Sequence, residues 1–256
     1  MRRIRIGSIW IDPLTFADAL SRIAELSGRG GAVFTPNVDH VVNADRNPAL
    51  REAYASADLC LADGQWVVWA SRVLGTPLPA KISGSDLALP LARRAATDGR
   101  SMFLLGGAPG AGEEAARRLS RETGVRICGV EAPIIDLRAP DEDLLSRIEA
   151  ARPGFLLVAL GSPKQEIWIH RHRERLRPAV LLGVGATLEF LAGRVRRAPP
   201  WISRSGLEWL FRLALEPRRL ARRYLVNDPR FLRIVLSTLL EPRSARVLGG
   251  GGTGTL

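Results

Sequence analysis

The chain has 256 residues, 46% of them hydrophobic and 25% charged, which is enough apolar material for one large core with or without a small appendage and excludes a disordered chain. No run of 18 apolar residues occurs and no long apolar stretch follows the first arginines, so neither a membrane span nor a signal peptide is indicated and a cytoplasmic protein is expected. The net charge of +11 is concentrated: residues 194–246 hold thirteen arginines, no lysine and four acids, +9 of the total, so a polyanionic partner is expected for that segment alone.

In chain order, residues 3–11 read as a short pair of edge strands, and 15–27 as a helix. Apolar runs of strand length follow at 31–35, 58–62, 101–106, 125–129, 154–160 and 179–184. Between them, helical spacing appears near 37–45, 65–74, 84–97, 111–123, 141–151 and 163–175. This alternation predicts an α/β fold, a Rossmann-like and mostly parallel sheet with helices on both faces. From Arg197 the strand pattern stops. Short amphipathic helices punctuated by Pro199, Pro200, Pro217 and Pro229 are expected, followed by a glycine-rich end. The predicted division is a catalytic α/β domain over 1–196, a basic helical appendage over 197–245 and a disordered tail over 246–256.

Ligands of open α/β sheets bind beyond the carboxyl ends of the strands, so polar residues there are the first candidates. Thr35 and Asn37 follow the first core strand, and Asp63 the second. Gly106, Gly107 and Pro109 follow the third, and Gly161, Pro163, Lys164, Gln165 and Glu166 the fifth. Asp63 reads either as a base that takes a proton from a hydroxyl or as the cap of the helix that begins at Gln65. Thr35 and Asn37 read as cap and turn residues or as holders of a sugar or acceptor hydroxyl. The Gly106–Gly110 loop reads as an anion cradle or as a plain tight turn, and it matches neither a Walker loop nor a GxGxxG fingerprint. The only two lysines, Lys81 and Lys164, lie beside these loops.

Other chemistries find less support. Asp141-Glu142-Asp143 has the DxD spacing of a metal-bound nucleotide site, but its place after Pro140 at a helix start reads as capping. His40, His170 and His172 do not form a metal set, because the last two point to different helix faces. Cys60 and Cys128 lack ligand spacing and read as reduced thiols. No metal and no cofactor are expected. GxSxG is absent, which disfavours a hydrolase of the α/β type.

Taken together, the ordered blocks Thr-Pro-Asn at 35–37, Ala-Asp-Leu-Cys-Leu-Ala-Asp-Gly at 57–64, Gly-Ser-Asp-Leu at 84–87, Leu-Leu-Gly-Gly-Ala-Pro-Gly at 104–110, Gly-Ser-Pro-Lys-Gln-Glu at 161–166, Gly-Val-Gly-Ala at 183–186 and the Arg-rich 196–219 resemble the WecG/TagA/CpsF glycosyltransferase family. The resemblance runs from about Ile9 to Arg233. It implies an inverting, metal-independent transfer of N-acetylmannosamine, its uronic acid or glucose from a UDP-sugar to a polyprenyl-diphosphate-linked sugar. Asp63 matches the family's general base, while Thr35, Asn37 and Gln165 match substrate-positioning residues. Lys81 and Glu189 stand where the family usually has Arg and Asp, and Gly185 lies in the turn before Glu189. Arg212, Arg219 and Arg222 match residues brought to phosphates by an appendage that closes at the membrane, where planar guanidinium forks suit a departing diphosphate.

The appendage interleaves Trp201, Trp209, Phe211, Tyr224 and Phe231 with arginine, which fits an anionic membrane surface. Packing of these aromatics onto the α/β body is the other reading. Four prolines interrupt any long recognition helix, so no nucleic acid is expected. The expected location is the inner face of the cell membrane, as a peripheral protein, and self-association into a homo-oligomer stays open. A non-catalytic nucleotide-sugar-binding protein at the membrane is the alternative function.

Overall fold

A computed structural model describes residues 3–195, 211 and 217–248, with the backbone alone over 217–228. Six parallel strands form the main sheet: β3 (Gly31–Phe34), β4 (Leu59–Cys60), β5 (Ser101–Gly106), β6 (Arg126–Glu131), β7 (Phe155–Ala159) and β8 (Val180–Gly183), in the order β4-β3-β8-β7-β5-β6. The expected α/β architecture is therefore present. Strands β3, β5, β7 and β8 are buried along their whole length, which explains why they read as unbroken apolar runs rather than alternating ones.

Helices cover both faces of this sheet. Phe34, Phe103, Leu105, Leu156, Val158 and Leu181 share a core with α2 (Val38–Arg46), α3 (Pro48–Ala55), α4 (Gln65–Val73), α7 (Glu142–Ala151) and α8 (Lys164–His172). Their strand neighbours Val33, Met102, Leu104, Phe155, Leu157 and Leu182 point the other way, onto α1 (Phe16–Leu26), α5 (Gly84–Thr97), α6 (Ala111–Thr123) and α9 (Thr187–Leu191). The alternation of side chains along a strand produces this division. Two of these helices were not separated in the sequence reading. Asn47 caps α3 by accepting from Leu50 N–H, with Pro48 as the first helical residue, and α9 is a five-residue turn directly after β8.

The N-terminal strands form as expected, but they build a sheet of their own. β1 (Arg3–Ile6) pairs antiparallel with β2 (Ile9–Ile11) on one side and with β9 (Val247–Leu248) on the other. The segment expected to be disordered from 246 thus begins with a strand. Of the expected series of short helices, those before Pro217 lie outside the described residues except for helical Phe211, and the expected break at Pro229 is absent. The 24-residue helix α10 (Pro217–Leu240) starts at Pro217 and runs through Pro229. Pro217 suits a first helical position, where no N–H is needed. Pro229 costs roughly 3 kcal/mol inside a helix, and the packing of α10 on α2 and β1 through Phe231, Val235 and Thr238 offsets it. Further ties are Gly7 N–H to Thr238 Oγ1 at 3.2 Å, an Arg5–Glu241 ion pair and Arg246 to the Leu74 carbonyl at 2.7 Å.

Candidate active site

The carboxyl ends of β3, β4, β5, β7 and β8 bring most of the predicted residues to one rim. Leu61 N–H donates to Phe34 O and Asp63 N–H to Pro36 O, both at 2.9 Å, so the segment after β4 runs alongside the segment after β3. Asp63 is half-buried there. The cap position of α4 belongs to Gly64, with φ 98°, so Asp63 stands one residue outside it. Ile82 N–H donates to Ala62 O at 2.7 Å, which carries Lys81 to the side of Asp63. Gly84 at the start of α5 lies against β8: a Cβ on it would stand 3.0 Å from Val184 Cα.

Asn37 has a definite structural duty. Its Oδ1 accepts from Asp39 N–H at 3.0 Å and from His40 N–H at 3.4 Å, while its own N–H donates to His40 Nδ1 at 3.2 Å, a reciprocal cap on α2. Thr35 reaches across to β8, with Oγ1 3.5 Å from the Gly183 carbonyl.

The β7 loop divides its residues between outside and inside. Gly161 adopts φ 75°, the Ser162–Pro163 peptide is cis, and Lys164 is exposed at the first position of α8. Gln165 and Glu166 turn inward and are 2% and 1% exposed. Gln165 Nε2 donates to Glu166 Oε1 at 2.8 Å, and Gln165 Oε1 accepts from Gly185 N–H at 3.0 Å. In the conformation described, these two side chains are buried beneath the rim.

The Gly106–Gly110 loop has a carboxylate beside it. Gly106 adopts φ 96°, and a Cβ there would stand 2.6 Å from the Ala159 carbonyl, so only glycine fits. Ala108 N–H donates to Glu189 Oε1 at 3.0 Å, while Glu189 Oε2 is buried with no partner among the described residues. A carboxylate at this point repels phosphate and suits hydroxyl or ring N–H donors.

Arg194 was absent from the sequence reading. It holds Glu114 with two bonds, at 2.9 and 3.0 Å, and the Pro109 carbonyl at 2.6 Å, which fastens the same loop from outside. The guanidinium holds the Glu114 carboxyl below the usual range. Its partners lie some eighty residues away in sequence, and no local pattern marks them. Tyr54 was missed as well. It is buried against Phe34 and His40, and burial followed by the Glu166 charge pushes its phenol well above the ordinary range.

Arg212 lies outside the described residues. Arg219 and Arg222 lie on the backbone of α10, and their side chains also lie outside what is described. Asp141 accepts from Leu144 N–H at 2.9 Å as the cap of α7, so its carboxylate serves the helix. Among the described residues no group of three or more His, Cys, Asp or Glu could hold a metal ion. Cys60 is fully buried, and desolvation followed by Asp12 pushes its thiol far up, which leaves it inert; Cys128 is half-buried.

Comparison with known proteins identifies the family. Residues 4–245 match the model of the glycosyl transferase WecG/TagA/CpsF family. A relative from Bacillus spizizenii, named N-acetylglucosaminyldiphosphoundecaprenol N-acetyl-beta-D-mannosaminyltransferase, is 32% identical over 209 residues, 81% of this chain and 79% of its own length. With the match spanning nearly the whole chain, this protein belongs to the WecG/TagA/CpsF family and is a glycosyltransferase.

Proposed function

We propose that the enzyme transfers a sugar from a UDP-sugar to a sugar linked to undecaprenyl diphosphate, with inversion and without a metal ion, in the assembly of a cell-surface polymer. The named activity of the Bacillus relative supports this acceptor and favours N-acetylmannosamine over its uronic acid or glucose as the donor sugar. The observation that carries the reading is the placement of Asp63, half-buried on the carboxyl rim beside Lys81 and outside the cap of α4.

In this scheme the Asp63 carboxylate accepts the proton of the acceptor hydroxyl. The hydroxyl oxygen then forms a bond to the anomeric carbon as the bond from that carbon to the UDP oxygen breaks on the opposite side. UDP leaves with one more negative charge, which Lys81, Arg212, Arg219 and Arg222 are suited to receive. Glu189, with one oxygen on Ala108 N–H and the other without a partner among the described residues, is suited to the hydroxyl or ring N–H donors of the nucleoside. Thr35 and Asn37 face the sugars.

The acceptor lipid lies in a membrane, and the outer side of α10 supports contact with it. Leu232, Leu236, Leu239 and Leu240 recur at helical spacing and are exposed, on a strip beside the buried Phe231 and Val235. No helix among the described residues is long and apolar enough to cross a membrane, so this contact is peripheral, at the inner face.

The test is UDP release from a panel of UDP-sugars in the presence of a short-chain prenyl-diphosphate-linked acceptor, with and without chelator. Acceptor-dependent release that survives chelation is expected. Binding of UDP-sugars with no release under any condition would leave a non-catalytic binding protein instead.

A further inference from the structure

Glu166 is costly in its surroundings. It is 1% exposed, no cation pairs with it among the described residues, and its Oε2 has no hydrogen-bond partner there. Placing a carboxylate out of water with so little compensation opposes folding, and an apolar residue of similar size would pack α8 against the sheet without that penalty. A local cost of this kind points to a role in the site.

Its one bond shows what the role is. Because Glu166 Oε1 only accepts, the Gln165 amide must present Nε2 to it, at 2.8 Å. That leaves Gln165 Oε1 to accept from Gly185 N–H at 3.0 Å. The same amide lies along β8, with Nε2 3.2 Å from where a Cβ on Gly183 would stand. The Gly183 carbonyl in turn faces the Thr35 hydroxyl. An unbroken line of contacts runs from Glu166 through Gln165 to the turn at 183–185 and on to Thr35.

We propose that Glu166 is a positioning residue for sugar transfer, fixing the orientation of the Gln165 amide and through it the 183–185 turn and the Thr35 hydroxyl. The role rests on the transferase reading above, and it requires no contact between Glu166 and substrate. A neutral amide at 166 can offer either a donor or an acceptor to Gln165, so only the Gly185 N–H, at 3.0 Å, still holds the Gln165 amide one way round.

Two measurements test this. In the full-length protein, amide hydrogen exchange at Gly185 is expected to speed up about tenfold or more in Glu166→Gln, since its acceptor is then fixed from one side only. Unchanged protection of Gly185 overturns the proposal whether or not transfer is detected. In the transfer assay, Glu166→Gln is expected to lower kcat about tenfold while KM for the UDP-sugar moves less than about threefold, and to add nothing in a Gln165→Ala background. Losses that multiply independently in the double variant overturn it. Should Glu166→Gln fail to fold, Glu166→Asp, which withdraws the acceptor by one methylene, goes through the same exchange and double-variant measurements with the same deciding outcomes. A wild-type protein that releases no UDP counts against the transferase reading, and Gly185 exchange still decides the positioning role.

Discussion

The N–H of Asp63 donates to the carbonyl of Pro36 at 2.9 Å, so the backbone of the β4 loop at Asp63 is tied to the Thr35-Pro36-Asn37 turn on the β3 loop independently of the carboxylate. Replacing the carboxylate should therefore remove the base while leaving the rim in place. Asp63→Asn is expected to lower the rate of UDP release by a factor on the order of 10²–10⁴ with UDP affinity by calorimetry changed little. Turnover within a few-fold of wild type would remove Asp63 from the base role.

Glu189 stands against the Gly106–Gly110 loop, and its second oxygen, unpartnered among the described residues, is the acceptor proposed for the nucleoside. Glu189→Ala is expected to weaken UDP binding by roughly 10- to 100-fold, in line with the loss of one charge-assisted hydrogen bond, with kcat affected much less. Calorimetry with UDP and with UMP checks this. Affinity unchanged for both would place the nucleoside elsewhere.

The Arg194–Glu114 pair gives a prediction in pH. Glu114 has its folded-state pKa depressed below the ordinary 4.5, first by the Arg194 hydrogen bonds. A depressed carboxyl contributes stability above the unfolded value and loses it as pH falls through the folded value. The melting temperature of Arg194→Gln should thus lie below wild type at pH 7, and the gap should close as pH falls below 4.5. A gap that is constant or widens on acidification would show that Arg194 acts by packing alone. Both side chains are more than a third exposed, so the gap should also shrink in high salt.

On α10, Leu236 is half exposed on the apolar side. Leu236→Glu is expected to reduce co-sedimentation with anionic vesicles several-fold while the melting temperature stays within a few degrees. Full retention on vesicles would assign membrane contact to another part of the chain.

The parts legible in the sequence are those in which one local rule governs. Fully buried strands appear as apolar runs because both sheet faces are covered, and loops after those strands must carry the polar residues. Thr35, Asn37 and Asp63 were picked out in this way, Lys81 by lying beside one of these loops, and Glu189 only through the family resemblance. Inward and outward turns at a helix start look alike in sequence, so Gln165 and Glu166 were grouped with exposed Lys164. Arg194 was invisible because its partners, Glu114 and Pro109, are brought to it only by the packing of α9 on α6. The proline at 229 gave a misleading break, since the tertiary contacts of Phe231 and Val235 outweigh a local helix penalty, whereas Pro217 does mark a helix start.

Because Val247 and Leu248 return to pair with β1, the arginine-rich stretch is stapled down at both of its ends, by Arg194 before it and by α10 and β9 after it. Cutting the gene after residue 196 would therefore do more than delete charge. It would uncover the apolar sides of α2 and the N-terminal hairpin, and the shortened product would be prone to clump for reasons unrelated to lipid.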